Sequence, residues 1–135
     1  MSYELTITQR RGFLHVIVTG QNSVQTVGDY IRAVIRECAS RQCHRVLIEE
    51  RLVGPRLGMV DVFTLLSAII EKFRGGIESI AFVDINAQGD TMRFAEDVAV
   101  NRGAPLRVFA GVAAAEQWLL GEIQRNAAAQ PNPHP

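Results

Sequence analysis

The residues best suited to chemistry stand in two polar stretches, each of which directly follows a run of apolar residues. The stretches supply carboxylates, guanidinium groups, an amide and a hydroxyl: Glu49, Glu50, Arg51 and Arg56 in the first, and Asp84, Asn86, Asp90 and Thr91 in the second. In open α/β sheets, ligands bind outside the carboxyl ends of the strands. If the two apolar runs are neighbouring strands, these side chains converge on one ligand-binding site.

A simpler interpretation of the first polar stretch competes with a site, and its two glutamates are not a catalytic pair. Adjacent residues of a strand point to opposite faces, so Glu49 and Glu50 do not form an acid–base pair by themselves. Arg51 or Arg56 would also neutralise a nearby carboxylate at the surface, a contact worth at most about 1 kcal/mol. We predict no catalytic residue. If the protein were nevertheless an enzyme, Glu49 and Asp84 would be its candidate acid–base groups.

Anion binding and metal binding find little support in the sequence. The segment DINAQGDT precedes a helix whose first N–H groups attract anions, but Asp90 and Thr91 are good capping residues for the same groups. Cys38 and Cys43, with the neighbouring His44, supply too few ligands for a zinc site and are expected to be reduced thiols. We therefore expect neither a metal nor a cofactor.

Hydrophobic periodicity defines the elements that must position these groups. Apolar residues alternate in strands and recur at three- and four-residue steps in helices. The pattern predicts strands at 3–8, 13–18, 46–48, 80–83 and 106–109, and helices at 24–38, 62–73, 94–99 and 112–123. This β-β-α-β-α-β-α-β-α order is typical of a single α/β domain whose five-stranded sheet is mostly parallel, with an antiparallel N-terminal edge strand.

Local signals mark the start of the first helix and the end of the third, and the second helix bears on function. Ser23 is suited to cap the first helix at its start, and Gly103 to end the third. The helix at 62–73 has an apolar arc wider than the usual stripe, which indicates either deep packing or a shared surface. On the second interpretation its interface residues are Val62, Leu65, Leu66 and Ile69.

Composition and charge exclude several classes of protein. The chain has 135 residues, of which 47% are hydrophobic, and its 14 basic residues balance 14 acidic ones, so no overall field favours nucleic acid. The start MSYELTITQRR lacks the apolar region of a secretory signal, and no run is long enough to span a membrane. We expect a cytoplasmic domain at 1–125 and a disordered tail at 126–135, where Pro is frequent and large apolar residues are few.

A family resemblance rests on the C-terminal half. The segments IAFVD and FAEDVAVNRGAPLRVFAGVAAAEQWL, with NRG before the short RVF strand, resemble small bacterial SpoIIAA-like proteins, relatives of the STAS domains of sulfate transporters and anti-sigma-factor antagonists. The element order extends the likeness over nearly the whole chain. The resemblance implies a (βα) superhelix with most helices on one face of the sheet.

The resemblance also implies alternative functions. Domains of this type are protein-interaction modules, and the related CRAL-TRIO architecture carries apolar ligands, so we expect a non-enzymatic module that binds a protein partner or a second copy of itself, or else a carrier of a small molecule or lipid. Anti-sigma antagonists bear a phosphorylated serine after the third strand. This chain has no Ser or Thr from Glu49 to Phe63, and Thr64 falls inside the helix, so a phosphorylation switch is not expected.

Overall fold

The computed structural model describes residues 3–73, 76–84 and 89–129. The chain forms five strands and four helices: β1 Tyr3–Gln9, β2 Leu14–Gln21, α1 Val24–Ser40, β3 Arg45–Val53, α2 Met59–Phe73, β4 Ser79–Asp84, α3 Gly89–Asn101, β5 Leu106–Phe109 and α4 Val112–Ala129. This order confirms the predicted sequence of elements. Within the described ranges, no helix combines the length and the apolar character needed to cross a membrane.

The strands form one mixed sheet in the order β1-β2-β3-β4-β5. β1 is antiparallel to β2 and lies at the edge, while the other neighbours are parallel. The predicted fold class is therefore confirmed, including the antiparallel N-terminal strand. Because β3 and β4 are parallel neighbours with Glu50 opposite Asp84, the two polar stretches of the sequence meet at one edge of the sheet.

The helices cover the two faces of the sheet unequally. The larger core joins one face of the strands to α1, α2 and α3, and contains Val46 and Ile48 of β3. On the opposite face α4 packs alone, with Ala115 and Leu119 against Leu47. This alternation along β3 follows from the two-residue period of a strand, and it assigns each later residue of β3 to a face.

Several element boundaries differ from the prediction, and those of β3, α2 and α4 bear most on the site and the tail. β3 continues to Val53, because its pairing with β2 extends to the contact of Gln21 with Val53. α2 begins at Met59 rather than Val62. α4 continues to Ala129, so the first four residues of the predicted tail are helical, which the high helix propensity of alanine explains. Residues 130–135 lie outside the described residues.

Three local predictions are confirmed by hydrogen bonds and backbone geometry. The Ser23 hydroxyl accepts from the Thr26 N–H at 3.0 Å and so caps α1. Gly103 follows α3 with φ +79°, a left-handed conformation in which a Cβ would be strained. The Thr64 hydroxyl donates to the Val60 carbonyl at 2.9 Å, so this hydroxyl is engaged by its own helix.

Candidate functional site

The two adjacent glutamates of β3 are both buried and lie on opposite faces of the sheet. Glu49 is 4% exposed and Glu50 5%. Glu50 shares the face of Val46 and Ile48, beneath α1 and α2, whereas Glu49 shares the face of Leu47. The sequence prediction that they cannot act as a pair is confirmed, and each has a separate environment.

Glu50 belongs to a buried polar group that we call the Glu50 cluster: Tyr30, Glu50, Arg56 and Asp84. The Tyr30 hydroxyl donates to Glu50 Oε2, and Arg56 Nη2 donates to Asp84 Oδ2. The same Arg56 nitrogen lies 3.8 Å from Glu50 Oε1, which is beyond hydrogen-bonding distance. Arg56 therefore bonds directly to Asp84 and interacts with Glu50 only through space.

Burial governs the protonation of this cluster. The pKa of Glu50 is raised to about 7, chiefly by the loss of solvation and also by the negative charge of Asp84, and the Tyr30 hydrogen bond and the Arg56 charge offset only part of the effect. Burial, followed by the Glu50 charge, also raises the pKa of Tyr30 well above its ordinary value. Tyr30 is thus a neutral donor, and Glu50 exchanges its proton near neutral pH.

Beside the cluster lies an apolar cavity between the sheet and helices α1, α2 and α3, with a volume of about 110 Å³. Its polar end is formed by the cluster residues Glu50, Arg56 and Asp84, together with Asn22. Its walls are almost entirely aliphatic: Val27, Ile31, Ile48, Leu57, Val62, Leu65, Leu66, Ile69, Ile80, Phe82, Ala95, Leu106 and Val108. Asn22, Arg56 and Leu57 are partly exposed, so the polar end lies at the protein surface.

A second buried polar group occupies the opposite face of the sheet. His15 Nε2 lies 2.9 Å from Glu49 Oε1, and Arg51 Nε donates to Glu49 Oε2 at 2.6 Å. Burial alone would raise the pKa of Glu49, but the hydrogen bonds from His15 and Arg51 outweigh it, and the pKa is lowered. Glu49 is therefore an ionised, fully partnered carboxylate that has no access to the cavity.

The predicted ligand-binding residues are thus divided between the two faces. Arg56 and Asp84 come together with Glu50 at the cavity, whereas Glu49 and Arg51 lie on the other side of the sheet. Asn86 falls outside the described residues, and for Asp90 and Thr91 only the backbone, in the first turn of α3, is described.

The predicted interface residues of α2 face the interior of the chain. Leu65, Leu66 and Ile69 are buried, Val62 is partly buried, and all four line the cavity. The wide apolar arc of α2 is explained by deep packing around this cavity. A role of the four residues in binding a partner stays a prediction, and it requires α2 to move away from the sheet.

Three polar residues at these sites were not predicted from the sequence: Tyr30, Asn22 and His15. For Tyr30 a signal was present, because it lies three residues from Val27 and four from Val34, on the apolar face of α1. The hydroxyl of a tyrosine at a buried helical position usually has a hydrogen-bond partner, and a polar side chain that reaches the core can supply one. His15 gave a weaker signal, a polar side chain within an apolar strand.

No protein-family model and no curated protein sequence matches the chain. Function is therefore inferred from the Glu50 cluster, the cavity and the fold. Chemically, the site can surround a small apolar group with aliphatic side chains and present a carboxylate to it at one end. This combination of apolar walls with a few convergent polar groups is typical of small-molecule binding sites.

Proposed function

We propose that this chain is a non-catalytic, cytoplasmic regulatory domain of the STAS-like type, related to the bacterial SpoIIAA-like proteins, and that it binds a small, mostly apolar molecule. The observation that carries the proposal is the cavity, whose apolar walls end at a buried carboxylate. The element order and the three helices on one face support the STAS-like assignment.

The size of the cavity narrows the class of ligand. An apolar cavity of roughly 150 Å³ in another protein accommodates benzene. The cavity found here, at about 110 Å³, suits a short branched alkyl group better than a long acyl chain. Of the two ligand classes expected from the family resemblance, the small molecule is therefore favoured over the lipid.

Filling the cavity should abolish binding. Ala95 lies on α3, is buried and lines the cavity. We expect the larger side chain of Ala95→Leu to occupy the space that the alkyl group needs. Binding of isobutanol, a neutral probe of suitable size, should weaken at least about tenfold, because a change of one methylene in an apolar pocket is worth about 1–3 kcal/mol. The measurement is a ¹H–¹⁵N NMR titration, in which the perturbed amides also locate the probe.

The matched control for this test is Ala113→Leu, the same substitution at an exposed alanine of α4. It should bind isobutanol as the wild type does. Isobutanol perturbing no cavity residue of the wild-type protein, at any concentration that leaves the fold intact, would contradict the proposal.

A second function is favoured by a different feature, the start of α2. Met59, Val60 and Phe63 are large apolar side chains that are exposed in the first two turns of this helix, and Val60 is 79% exposed. Apolar residues grouped on a surface mark sites of protein contact. We propose a protein partner or a second copy of the chain as the alternative ligand of the domain, at these residues rather than at the buried face of α2.

Substitution of Val60 tests this alternative. If the chain self-associates through the start of α2, Val60→Lys should raise the dimer dissociation constant at least about tenfold, because a desolvated lysine in an apolar contact costs more than 1.4 kcal/mol. Sedimentation velocity over a range of concentrations measures it. Val100→Lys, at an exposed valine of α3, is the control. Equal sedimentation of wild type and both variants as monomers would rule out self-association.

A further inference from the structure

The charge of Glu50 is the least compensated feature of the cavity. Its Oε2 accepts a hydrogen bond from a neutral phenol, that of Tyr30. The nearest cation to its Oε1 is Arg56, at 3.8 Å, and the same Arg56 nitrogen donates its hydrogen bond to Asp84. Among the described residues, no hydrogen bond reaches Oε1, which belongs to a residue lining the cavity.

A buried carboxylate of this kind is costly when it is ionised, because water is removed and its nearest cation, Arg56, is hydrogen-bonded to Asp84 rather than to it. The raised pKa of Glu50 reflects this cost. The ligand-free protein avoids this desolvation cost when Glu50 takes up a proton. A ligand with a cationic group at Oε1 would offset this cost in another way, by forming an ion pair with the ionised Glu50 inside the site.

From the cavity and the free oxygen of Glu50 we infer that the ligand is a small alkylamine, whose short branched alkyl group fills the apolar cavity and whose ammonium donates to Glu50 Oε1. This inference rests on the proposed small-molecule function and specifies the chemical class of its ligand. Arg56 does not repel the ammonium decisively, because its charge is already balanced by Asp84.

The titratable and charged groups around the carboxylate come from three elements. α1 contributes the neutral Tyr30, the segment before α2 contributes Arg56, and β4 contributes Asp84. The remaining described residues of α2 and α3 at the cavity are apolar. A carboxylate ligand would meet two buried carboxylates at the polar end and is disfavoured, although Arg56 lies nearby.

Three probes with similar alkyl groups separate the possibilities: isobutylamine, isobutanol and isobutyrate. At pH 8.5 Glu50 is largely ionised, and an alkylamine is protonated, as lysine is with its pKa of about 10.4. By NMR titration of the full chain we expect isobutylamine to bind at least about tenfold more tightly than isobutanol, and isobutyrate to bind most weakly. In Glu50→Gln, which retains the shape and the acceptor for Tyr30, the preference for amine over alcohol should fall to about one.

Each result has a distinct meaning. Binding of isobutanol equal to or tighter than that of isobutylamine overturns the amine assignment and leaves the small-molecule function intact. An amine preference that survives in Glu50→Gln also overturns it, because the ammonium would then be held elsewhere. If none of the three probes perturbs the cavity, the proposed function itself fails. Glu4→Gln, at an exposed glutamate of β1, is the control and should leave the preference unchanged.

Discussion

Replacing the buried carboxylate with its neutral amide, Glu50→Gln, should make the protein more stable at pH 8, by roughly 3 kcal/mol in the free energy of unfolding. The folded protein holds the pKa of Glu50 at about 7, against an ordinary value of about 4.5, and each unit of difference corresponds to about 1.4 kcal/mol. Glutamine carries no charge to desolvate, and its amide oxygen still accepts from Tyr30.

The raised pKa of Glu50 also determines how the free energy of unfolding changes with pH. Since the folded-state pKa is raised, the stability linked to the protonated carboxyl is fully present below about pH 4.5 and is lost as the pH rises through about 7. Wild-type stability should therefore fall between pH 5 and 8, and that of Glu50→Gln should fall much less, as measured by urea unfolding. Glu4→Gln, at an exposed position, should keep the wild-type slope. Parallel pH profiles for wild type and Glu50→Gln would show that Glu50 is not desolvated.

Removing the cation of the Glu50 cluster should have the opposite effect. Arg56→Ala leaves Asp84, which is 2% exposed, and Glu50 buried together without a counter-ion, so we expect a loss of roughly 3 kcal/mol at pH 8. The loss should be smaller at pH 5, because Glu50 then takes up a proton. Urea unfolding at the two pH values measures both quantities.

Two further variants identify the cause of that loss. Adding Asp84→Asn to Arg56→Ala should restore most of the stability, because the charge left without a partner is then absent as well. Arg51→Ala is the matched control, because Arg51 also pairs with a buried glutamate but is itself 53% exposed. His15 still contacts Glu49 in this variant, so the loss in the free energy of unfolding should be below about 1 kcal/mol. Equal losses in Arg51→Ala and Arg56→Ala would contradict the distinct role assigned to the Glu50 cluster.

The order of elements was predictable because every element buries an apolar face, and such faces have recognisable periods. Boundaries were predicted less well where burial and polarity disagree. β3 was predicted to end at Ile48 since two glutamates follow, yet both are buried and the strand continues to Val53. Conversely, Met59 and Val60 belong to α2 but are exposed, so the start of that helix carried no amphipathic signal.

The site was predictable only in part. Parallel strands bring the ends of β3 and β4 together, and this rule correctly associated Arg56 with Asp84. The partners of the two glutamates could not be predicted, because Tyr30 and His15 lie 20 and 34 residues away in the chain and are brought close only by the fold. The expected surface ion pair therefore proved to be a buried cluster, whose energetics depend on desolvation rather than on screened attraction.

The simple strand order has a consequence for how the protein is made. Each strand of the sheet pairs only with its immediate predecessor and successor along the chain. A nascent polypeptide can therefore assemble the sheet in the order of its synthesis, adding one strand at a time without waiting for a distant segment. On the ribosome, we expect Tyr30 and Glu50 to meet once β3 has emerged, and Arg56 and Asp84 to join when β4 follows. We therefore expect the polar end to be complete before α3 and β5 contribute their walls, so that the cavity is finished last, as the C-terminal third of the chain is released.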